Sequence, residues 1–339
     1  MNICLYIHFH ETKKLNNYTM FDVGEHTHYF NKEKTKEEIN KKTENFYKPL
    51  LEEIEKENIK ANISITGVML ELLEEYNPNI ITKLRELKEK EKIEFIGETY
   101  YHSLSFLHSK KEFSEQLNMQ LEKVEELFGE KPIAFKNTEL IYTNPLGKEL
   151  KKQGLKAVLA EGKSKESKKI KHNYVYESEN LKLLFKNNHI SKKITEKNIL
   201  EEITNEEGDI LNIFLEKNKN FKNIKDNLYE ISPDHKFVTI KDIIKEEPKK
   251  NINIESKENW ASNNIQNSAL EKIFSIEESI KKAGIAEILN SWRHLTTKEN
   301  LDLMSNSNLG TDKNPYEAFI NYRNIVKDME ERIAAEPYS

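Results

Sequence analysis

Several predicted β-strands of this chain end on side chains that can do acid–base or nucleophilic chemistry. They are His10, Glu98, Glu139, Glu161 and Glu216. In a barrel of parallel strands the active site lies at the carboxyl ends of the strands, so these side chains would meet at one face. Two carboxylates can cleave a glycosidic bond, one attacking the anomeric centre and one giving a proton to the leaving oxygen. Any one of them alone is more often a capping or solvated residue, but their convergence favours glycoside chemistry.

Aromatic residues near these strand ends offer flat faces on which a sugar ring could stack. Tyr100 and Tyr101 follow Glu98 closely, and Trp292 lies in the C-terminal part of the chain. Such aromatic side chains are at least as often core residues, so both interpretations stay open.

A different hypothesis starts from "HFH", in which His8 and His10 share one face of the first predicted strand. Metal-dependent barrel hydrolases take an H-x-H pair of ligands from such a strand. Further His and Asp ligands would be needed at later strand ends, where this chain carries Glu and Lys, while His102 and His108 fall in predicted loop or helix-start positions. We therefore expect no metal and no cofactor, and a metal-dependent amidohydrolase is the third alternative.

The elements that must position these residues alternate between strand and helix. Short apolar runs predict strands at 3–10, 62–67, 92–98, 133–137, 156–162, 181–187 and 209–217. Charged amphipathic stretches predict helices at 37–59, 69–91, 110–128, 145–153, 195–205, 261–282, 283–291, 297–305 and 314–334. No Gly-rich phosphate loop follows a strand, so the α/β pattern favours an incomplete (β/α) barrel over a dinucleotide-binding fold.

Composition divides the chain and excludes some partners. We expect a barrel over 1–245, a Pro- and Lys-rich linker over 246–259, and a helical C-terminal region over 260–339 that packs on the barrel. The formal net charge is −5 with Lys and Glu intermixed, which argues against a nucleic-acid partner. No run of about 18 apolar residues and no signal-peptide pattern is present, and Cys4 is the single cysteine, so we expect a cytoplasmic protein without a membrane partner. No feature of the sequence predicts an oligomeric state.

The chain resembles glycoside hydrolase family 57, in its α-amylase-like branch. The resemblance is carried by matching stretches in family order, among them "NICLYIHFHETKKL", "KIEFIGETYYHSLS", "FKNTELIY", "GLKAVLAEG", "WRHLTT" and "NPYEAFINY". It implies an incomplete (β/α)7 barrel followed by helices, and a metal-free retaining double displacement on α-glucans or maltooligosaccharides.

Carried over by position, the resemblance makes Glu139 in "FKNTEL" the nucleophile and Glu216 the counterpart of the proton-donating Asp. Lys136 stands where the family motif has Arg. The donor motif itself, a stretch like M-D-Y-E-T-F-G-E-H in the family, reads "FLEKNKNFKN" here. The resemblance also implies substrate contacts, which we expect from His10, Glu94, Glu98, Tyr100, His102, Glu161, Trp292, Arg293 and His294.

Two functional hypotheses follow from this pattern. The intact "NTEL" and "GETYYHSL" stretches favour an α-amylase-type hydrolase that uses Glu139 with Glu216 as a substitute acid. The altered donor motif favours a catalytically impaired relative that binds an α-glucan or a protein partner in the former cleft. A lysine beside the donor would hold its carboxyl group ionised, and the extra methylene of Glu216 would move it by about 1.5 Å, both against general-acid catalysis.

Overall fold

The structure is a computed structural model that describes residues 1–25, 28–57, 59–196, 199–215, 221–231, 233, 235–255, 260–309 and 314–335. The chain forms two compact units, each discontinuous in sequence. Unit 1 comprises Met1–His10, Ile39–Thr99 and Leu117–Glu258, and unit 2 comprises Glu11–Glu38, Tyr100–Gln116 and Asn259–Ser339. The linker and domain boundaries expected from composition stay a prediction.

Unit 1 contains the barrel, whose seven main strands all run parallel. These strands are β1 (Asn2–Phe9), β4 (Ala61–Ile65), β5 (Ile93–Ile96), β6 (Ala134–Lys136), β7 (Ala157–Ala160), β9 (Leu181–Phe185) and β10 (Ile210–Leu215). Two short strands complete unit 1, β8 (Tyr176–Ser178) antiparallel to β9 and β11 (Lys236–Phe237) parallel to β1. The α/β class and the incomplete barrel predicted from the sequence are confirmed.

Strand pairing follows the order β10-β1-β4-β5 in one sheet and β6-β7-β9-β8 in the other. The two sheets join where Gly97 pairs with Phe135, with Gly97 N donating to Ala134 O at 2.8 Å. A Cβ at Gly97 would lie 2.9 Å from Leu121 Cδ2, so a residue without a side chain allows this close approach. Between β9 and β10 the main chain is linked by Asn187 N donating to Asn212 O at 2.9 Å.

The interior of the barrel is filled by alternate residues of its strands. On β1, Cys4 and Tyr6 belong to this core together with Ile96, Leu159 and Phe214. Successive side chains of a strand point to opposite faces, so Ile3, Leu5, Ile7 and Phe9, which are all buried, form the other face of β1. The more polar face of β1 therefore points into the barrel and leads toward the histidines at its carboxyl end.

The helices of unit 1 follow the strands that they cover. They are α2 (Lys48–Lys56), α3 (Gly67–Tyr76), α4 (Pro78–Glu89), α6 (Asn144–Lys152), α7 (Asn188–Lys193), α8 (Leu200–Thr204), α9 (Phe221–Ile231) and α10 (Ile240–Ile243), while α1 (Lys32–Lys42) and α5 (Lys110–Phe128) span the division between the units. No helix among the described residues combines the length and apolar character needed to cross a membrane.

Unit 2 contains a two-stranded hairpin and a helical C-terminal region, in addition to the segment Tyr100–Gln116. The hairpin pairs β2 (Lys14–Leu15) with β3 (Phe30–Asn31). The helices are α11 (Asn264–Ser275), α12 (Glu277–Ala283), α13 (Ala286–Leu295), α14 (Lys298–Asp302) and α15 (Pro315–Ala335). The helical C-terminal region predicted from the sequence is thus present.

Helix boundaries differ from the sequence prediction where a local signal breaks a long amphipathic stretch. The helix predicted at 69–91 is two helices, because Pro78 begins α4 and Asn77 before it leaves the helical conformation at ψ 54°. The helix predicted at 37–59 begins earlier and contains a π-helical segment at Thr43–Tyr47 between α1 and α2. The sequence prediction contains no helix at Phe221–Ile231, where the structure has α9.

Candidate active site

Glu98 is the centre of a polar cluster at the carboxyl ends of the barrel strands in unit 1. Its side chain is fully buried two residues after β5. Ser64 Oγ donates to Glu98 Oε1 at 2.5 Å, His8 Nε2 lies 3.2 Å from Oε2, and Lys136 Nζ lies 3.7 Å from Oε2. A carboxylate removed from water is stable only when hydrogen bonds and opposite charge replace its hydration, and this cluster supplies both.

Parallel strand pairing explains why His8, Ser64 and Glu98 meet. His8 on β1 is the register partner of Ser64 on β4, and Ser64 is the partner of Ile96 on β5. Glu98 lies two residues beyond Ile96, which is a residue of the barrel interior. Because residues two apart in an extended chain point to the same side, the Glu98 side chain is directed toward His8 and Ser64.

His10 lies directly after β1 and is held by the start of α3. Its Nδ1 is 3.0 Å from Thr66 Oγ1, and the same hydroxyl accepts from Met69 N as the N-cap of α3. The His10 carbonyl accepts from Tyr47 Oη at 3.2 Å, so the π-helical segment before α2 also positions this strand end. The rings of His8 and His10 stack with centroids 5.5 Å apart and planes 7° apart.

Glu139 occupies a tight turn three residues after β6. Its backbone lies in the left-handed region at φ 60° and ψ 15°, and Leu140 follows at φ 52°. The turn is fixed by Leu140 N donating to Asn137 O at 2.9 Å and by Glu161 N donating to Leu140 O at 3.1 Å. Thr138 and Leu140 are buried whereas Glu139 is exposed. Two consecutive non-glycine residues with positive φ are unfavourable, and strain of this kind concentrates at functional sites.

Beyond the Glu98 cluster, one glutamate and several lysines lie at the carboxyl ends of the strands. Glu161 follows β7 and pairs with Lys163 at 3.0 Å. Lys186 follows β9, is 7% exposed like Lys136, and places Nζ 5.7 Å from the centre of the Phe214 ring. Two buried lysines therefore lie at this end of unit 1. Glu216, the candidate acid, lies outside the described residues.

Glu94 lies inside β5 rather than at its carboxyl end. The carboxylate is buried and pairs with Lys88 at 3.0 Å and with Lys241 at 3.3 Å. Both lysines also contact Glu130, at 3.0 and 2.6 Å. The structure therefore places Glu94 in an ion-pair network apart from the Glu98 cluster.

Tyr100, His102 and Trp292 belong to unit 2. His102 has a positive φ of 50°, and its Nδ1 lies 3.1 Å from both carboxylate oxygens of Glu299. Tyr100 is 7% exposed and packs against Tyr101. Trp292 is fully buried, donates through Nε1 to Ile273 O at 2.7 Å, and so occupies a core position.

Arg293 and His294 lie on α13 in unit 2 and differ in their surroundings. Arg293 pairs with the fully buried Glu112 through Nε at 2.8 Å and with Glu115 through Nη2 at 2.7 Å. His294 is 1% exposed, and its ring makes T-shaped contacts with the rings of Phe30 and Tyr101. Burial lowers the pKa of His294 well below its usual value, and the charge of Lys13 lowers it further.

Sequence reasoning missed Ser64 and Thr66 and gave Lys136 no structural role, although a signal for the first two was present. In "NISIT" the polar residues Asn62, Ser64 and Thr66 alternate with isoleucines, and all three are buried. A period of two with small polar residues on one face indicates a strand whose polar face is directed into a site. Lys136 was recognised only as a replacement for Arg, because nothing local indicates that β6 lies beside β5.

The comparisons with known proteins agree with this fold. A model of the glycosyl hydrolase family 57 matches residues 4–226. The "Putative alpha-amylase" of Methanocaldococcus jannaschii is 37% identical over 172 residues, which cover 49% of this chain but only 37% of that protein. The GH57-type branching enzyme of Pyrococcus horikoshii has a TM-score of 0.68 at 14% identity, over 98% of this chain and 94% of that chain. The GH57 branching enzyme of Thermococcus kodakaraensis, crystallised with glucose, has a TM-score of 0.69 at 13% identity, over 98% and 90%.

The two solved structures establish the fold. The family model extends over more than half of the sequence and includes the seven main strands of the barrel. On these grounds the chain belongs to glycosyl hydrolase family 57.

Proposed function

We propose that this chain is a retaining glycoside hydrolase of α-glucans in which Glu139 is the nucleophile. The observation that carries the proposal is the conformation of Glu139, an exposed carboxylate on left-handed backbone at the carboxyl end of a barrel strand. In a retaining reaction a carboxylate attacks the anomeric carbon, forms a glycosyl-enzyme, and is released when water attacks the same carbon.

Glu98 is the competing carboxylate, and its surroundings argue for a supporting role. It is fully buried and shared among Ser64, His8 and Lys136, so a sugar carbon could reach it only after these contacts break. Nucleophilic attack requires contact with the anomeric carbon, which an exposed carboxylate offers more readily than a buried one. We infer that Glu98 holds His8 and Lys136 in place while Glu139 attacks.

A second candidate function is glucan binding without turnover. It is favoured by the buried Lys136 and Lys186 at the carboxyl ends of the strands, since cations there stabilise ionised carboxyl groups and oppose a protonated general acid. It is favoured as well by the altered donor motif around Glu216.

The first prediction separates catalysis from binding by the choice of leaving group. An aryl α-maltoside with a good leaving group needs little protonation, so its cleavage should depend mainly on the nucleophile. We expect Glu139→Gln to reduce its turnover by at least about a thousandfold, since an amide cannot form the glycosyl-enzyme. Glu216→Gln should reduce it much less. The measurement is the steady-state rate of phenol release by purified protein.

Glu91→Gln is the matched control for this experiment. Glu91 is also exposed and has a similar φ of 55°, but it precedes β5 and so lies at the amino end of the barrel strands. Its variant should retain full activity. Maltooligosaccharide binding by the unmodified protein, together with no Glu139-dependent turnover of the aryl maltoside, would exclude the hydrolase and leave the binding function.

A further inference from the structure

Unit 1 contains a cavity of about 330 Å³ at the amino ends of its strands, opposite to the Glu98 cluster. Its lining is basic and includes Lys60, Lys92, Lys236 and His235, with Phe237 as an apolar wall. Glu57 and Pro233 complete the lining. A cavity of this size falls at the lower end of the range for small-molecule sites, about 300–1,000 Å³.

The strand arrangement brings the lysines together. Lys60 directly precedes β4, Lys92 directly precedes β5, and Lys236 begins β11. Ala61 N donates to Lys92 O at 2.9 Å, so the starts of β4 and β5 are adjacent. Lys236 is the register partner of Asn2 at the start of β1. The starts of β4, β5 and β11 thus each place one lysine at the lining of the same cavity.

The positive charge of this cavity is poorly compensated. Glu57 is already paired with Lys56 at 2.6 Å, and the carboxylate near Lys60, that of Asp242, is 3.9 Å away. Within the described ranges, neither Lys92 nor Lys236 is within ion-pair distance of a carboxylate. Like charges around one cavity repel each other, and an anion placed between them would remove that repulsion.

His235 adds a group that can recognise an anion. It lines the same cavity as the three lysines and is partly exposed. An imidazole N–H on the cavity side would donate a hydrogen bond to an anionic oxygen, which gives direction to an otherwise diffuse positive charge.

We propose that this cavity binds a small phosphorylated metabolite. Three lysines, of which Lys60 has only the distant carboxylate of Asp242 at 3.9 Å, suit a dianionic phosphate group. Ammonium groups bind phosphate as point charges, and imidazole adds a directional donor. The remaining volume and the Phe237 side chain, 8% exposed, suit a short organic group attached to the phosphate. The site is separate from Glu139 and would allow a metabolite to influence the protein from the opposite end of the barrel.

Isothermal titration of the full chain with inorganic phosphate and with glycerol 3-phosphate tests the proposal. We expect one saturable site per chain for each probe, with glycerol 3-phosphate bound more tightly than inorganic phosphate and glycerol not bound. Lys92→Gln and Lys236→Gln should each weaken binding by roughly tenfold or more, because each removes a charge-assisted contact to the phosphate. Added phosphate should raise the melting temperature of the unmodified protein and raise that of these variants much less.

Lys156→Gln is the matched control. Lys156 directly precedes β7 as Lys92 precedes β5, and its carbonyl accepts from Lys182 N at 2.9 Å as that of Lys92 accepts from Ala61 N. It does not line the cavity, so its variant should bind both probes normally. Equal affinity of the Lys92→Gln, Lys236→Gln and Lys156→Gln variants, or no saturable binding by the unmodified protein, would overturn the site. If inorganic phosphate bound as tightly as glycerol 3-phosphate, the proposal that the ligand carries an organic group would be wrong.

Discussion

At the scale of single residues, Glu139 is distinguished by its backbone as well as by its carboxyl group. A left-handed conformation costs an ordinary residue on the order of 1 kcal/mol or more compared with glycine, and here Leu140 shares it. Two backbone hydrogen bonds, from Leu140 N to Asn137 O and from Glu161 N to Leu140 O, hold the turn against this strain. A carboxylate exposed by such a turn is favoured by its function rather than by its contribution to stability.

This strain can be measured by replacing Glu139 with Gly and with Ala. We expect Glu139→Gly to be more stable than Glu139→Ala by about 1 kcal/mol, because only glycine adopts a positive φ without a Cβ clash. Urea unfolding of the two variants gives the difference. Both variants lack the carboxyl group, so the effect of its loss cancels when their stabilities are compared.

Glu122 provides the opposite control for this comparison. It is exposed within helix α5, where glycine is less favourable than alanine by about 1 kcal/mol. Glu122→Gly should therefore be the less stable of its pair. If the Gly variant were the more stable, or the less stable, of its pair at both positions, the strained turn at Glu139 would be contradicted.

At the scale of elements, the junction of β4 and α3 links the site to the fold. Thr66 ends the strand segment, caps α3 through Met69 N at 3.1 Å, and contacts His10 Nδ1 at 3.0 Å. One hydroxyl therefore satisfies a helix terminus and orients a residue at the carboxyl end of β1. The polar alternation of "NISIT" reflects this double requirement.

Thr66→Ala should destabilise the protein by about 2 kcal/mol. The change removes an N-cap acceptor, at about 1 kcal/mol, and a buried hydrogen bond of similar size. Thr66→Ser keeps the hydroxyl and should lose less than about 1 kcal/mol. Chemical denaturation of both variants provides the measurement, and equal losses would show that the methyl group rather than the hydroxyl matters.

At the scale of the whole molecule, the buried His294 of unit 2 makes overall stability depend on pH. Because burial holds its pKa well below about 6.5, the unfolded chain binds a proton that the folded chain does not. The contribution of neutral His294 to the free energy of unfolding is therefore complete above the pKa of the unfolded chain. It decreases as the pH falls below about 6.5, by at most about 1.4 kcal/mol per pH unit.

Replacing His294 with Phe tests this dependence. The variant keeps a ring against Phe30 and Tyr101 but cannot be protonated, so its stability should decrease by roughly 1 kcal/mol less between pH 7 and pH 5.5. The free energy of unfolding in urea across that range is the measurement. His108, whose pKa burial also lowers, is present in both proteins and contributes equally. Parallel stability curves for the two proteins would rule out this role for His294.

The sequence by itself determined the strands, the fold class and the identity of the residues that end the strands. Apolar runs such as 3–10 and 181–187 predict strands because hydrophobic alternation is a local property of the chain. The break between α3 and α4 at Pro78 is also encoded locally, although the sequence prediction has one continuous helix there.

Only the tertiary structure decided which of these residues share surroundings. Glu98 and Glu139 were equivalent as strand-ending glutamates, yet one is buried among Ser64, His8 and Lys136 and the other is exposed on a strained turn. Trp292 is likewise a core residue only because other parts of the chain bury its ring. Burial and charge pairing depend on neighbours from distant strands, and the register that brings His8 to Ser64 belongs to the pairing of β1 with β4 rather than to either segment alone.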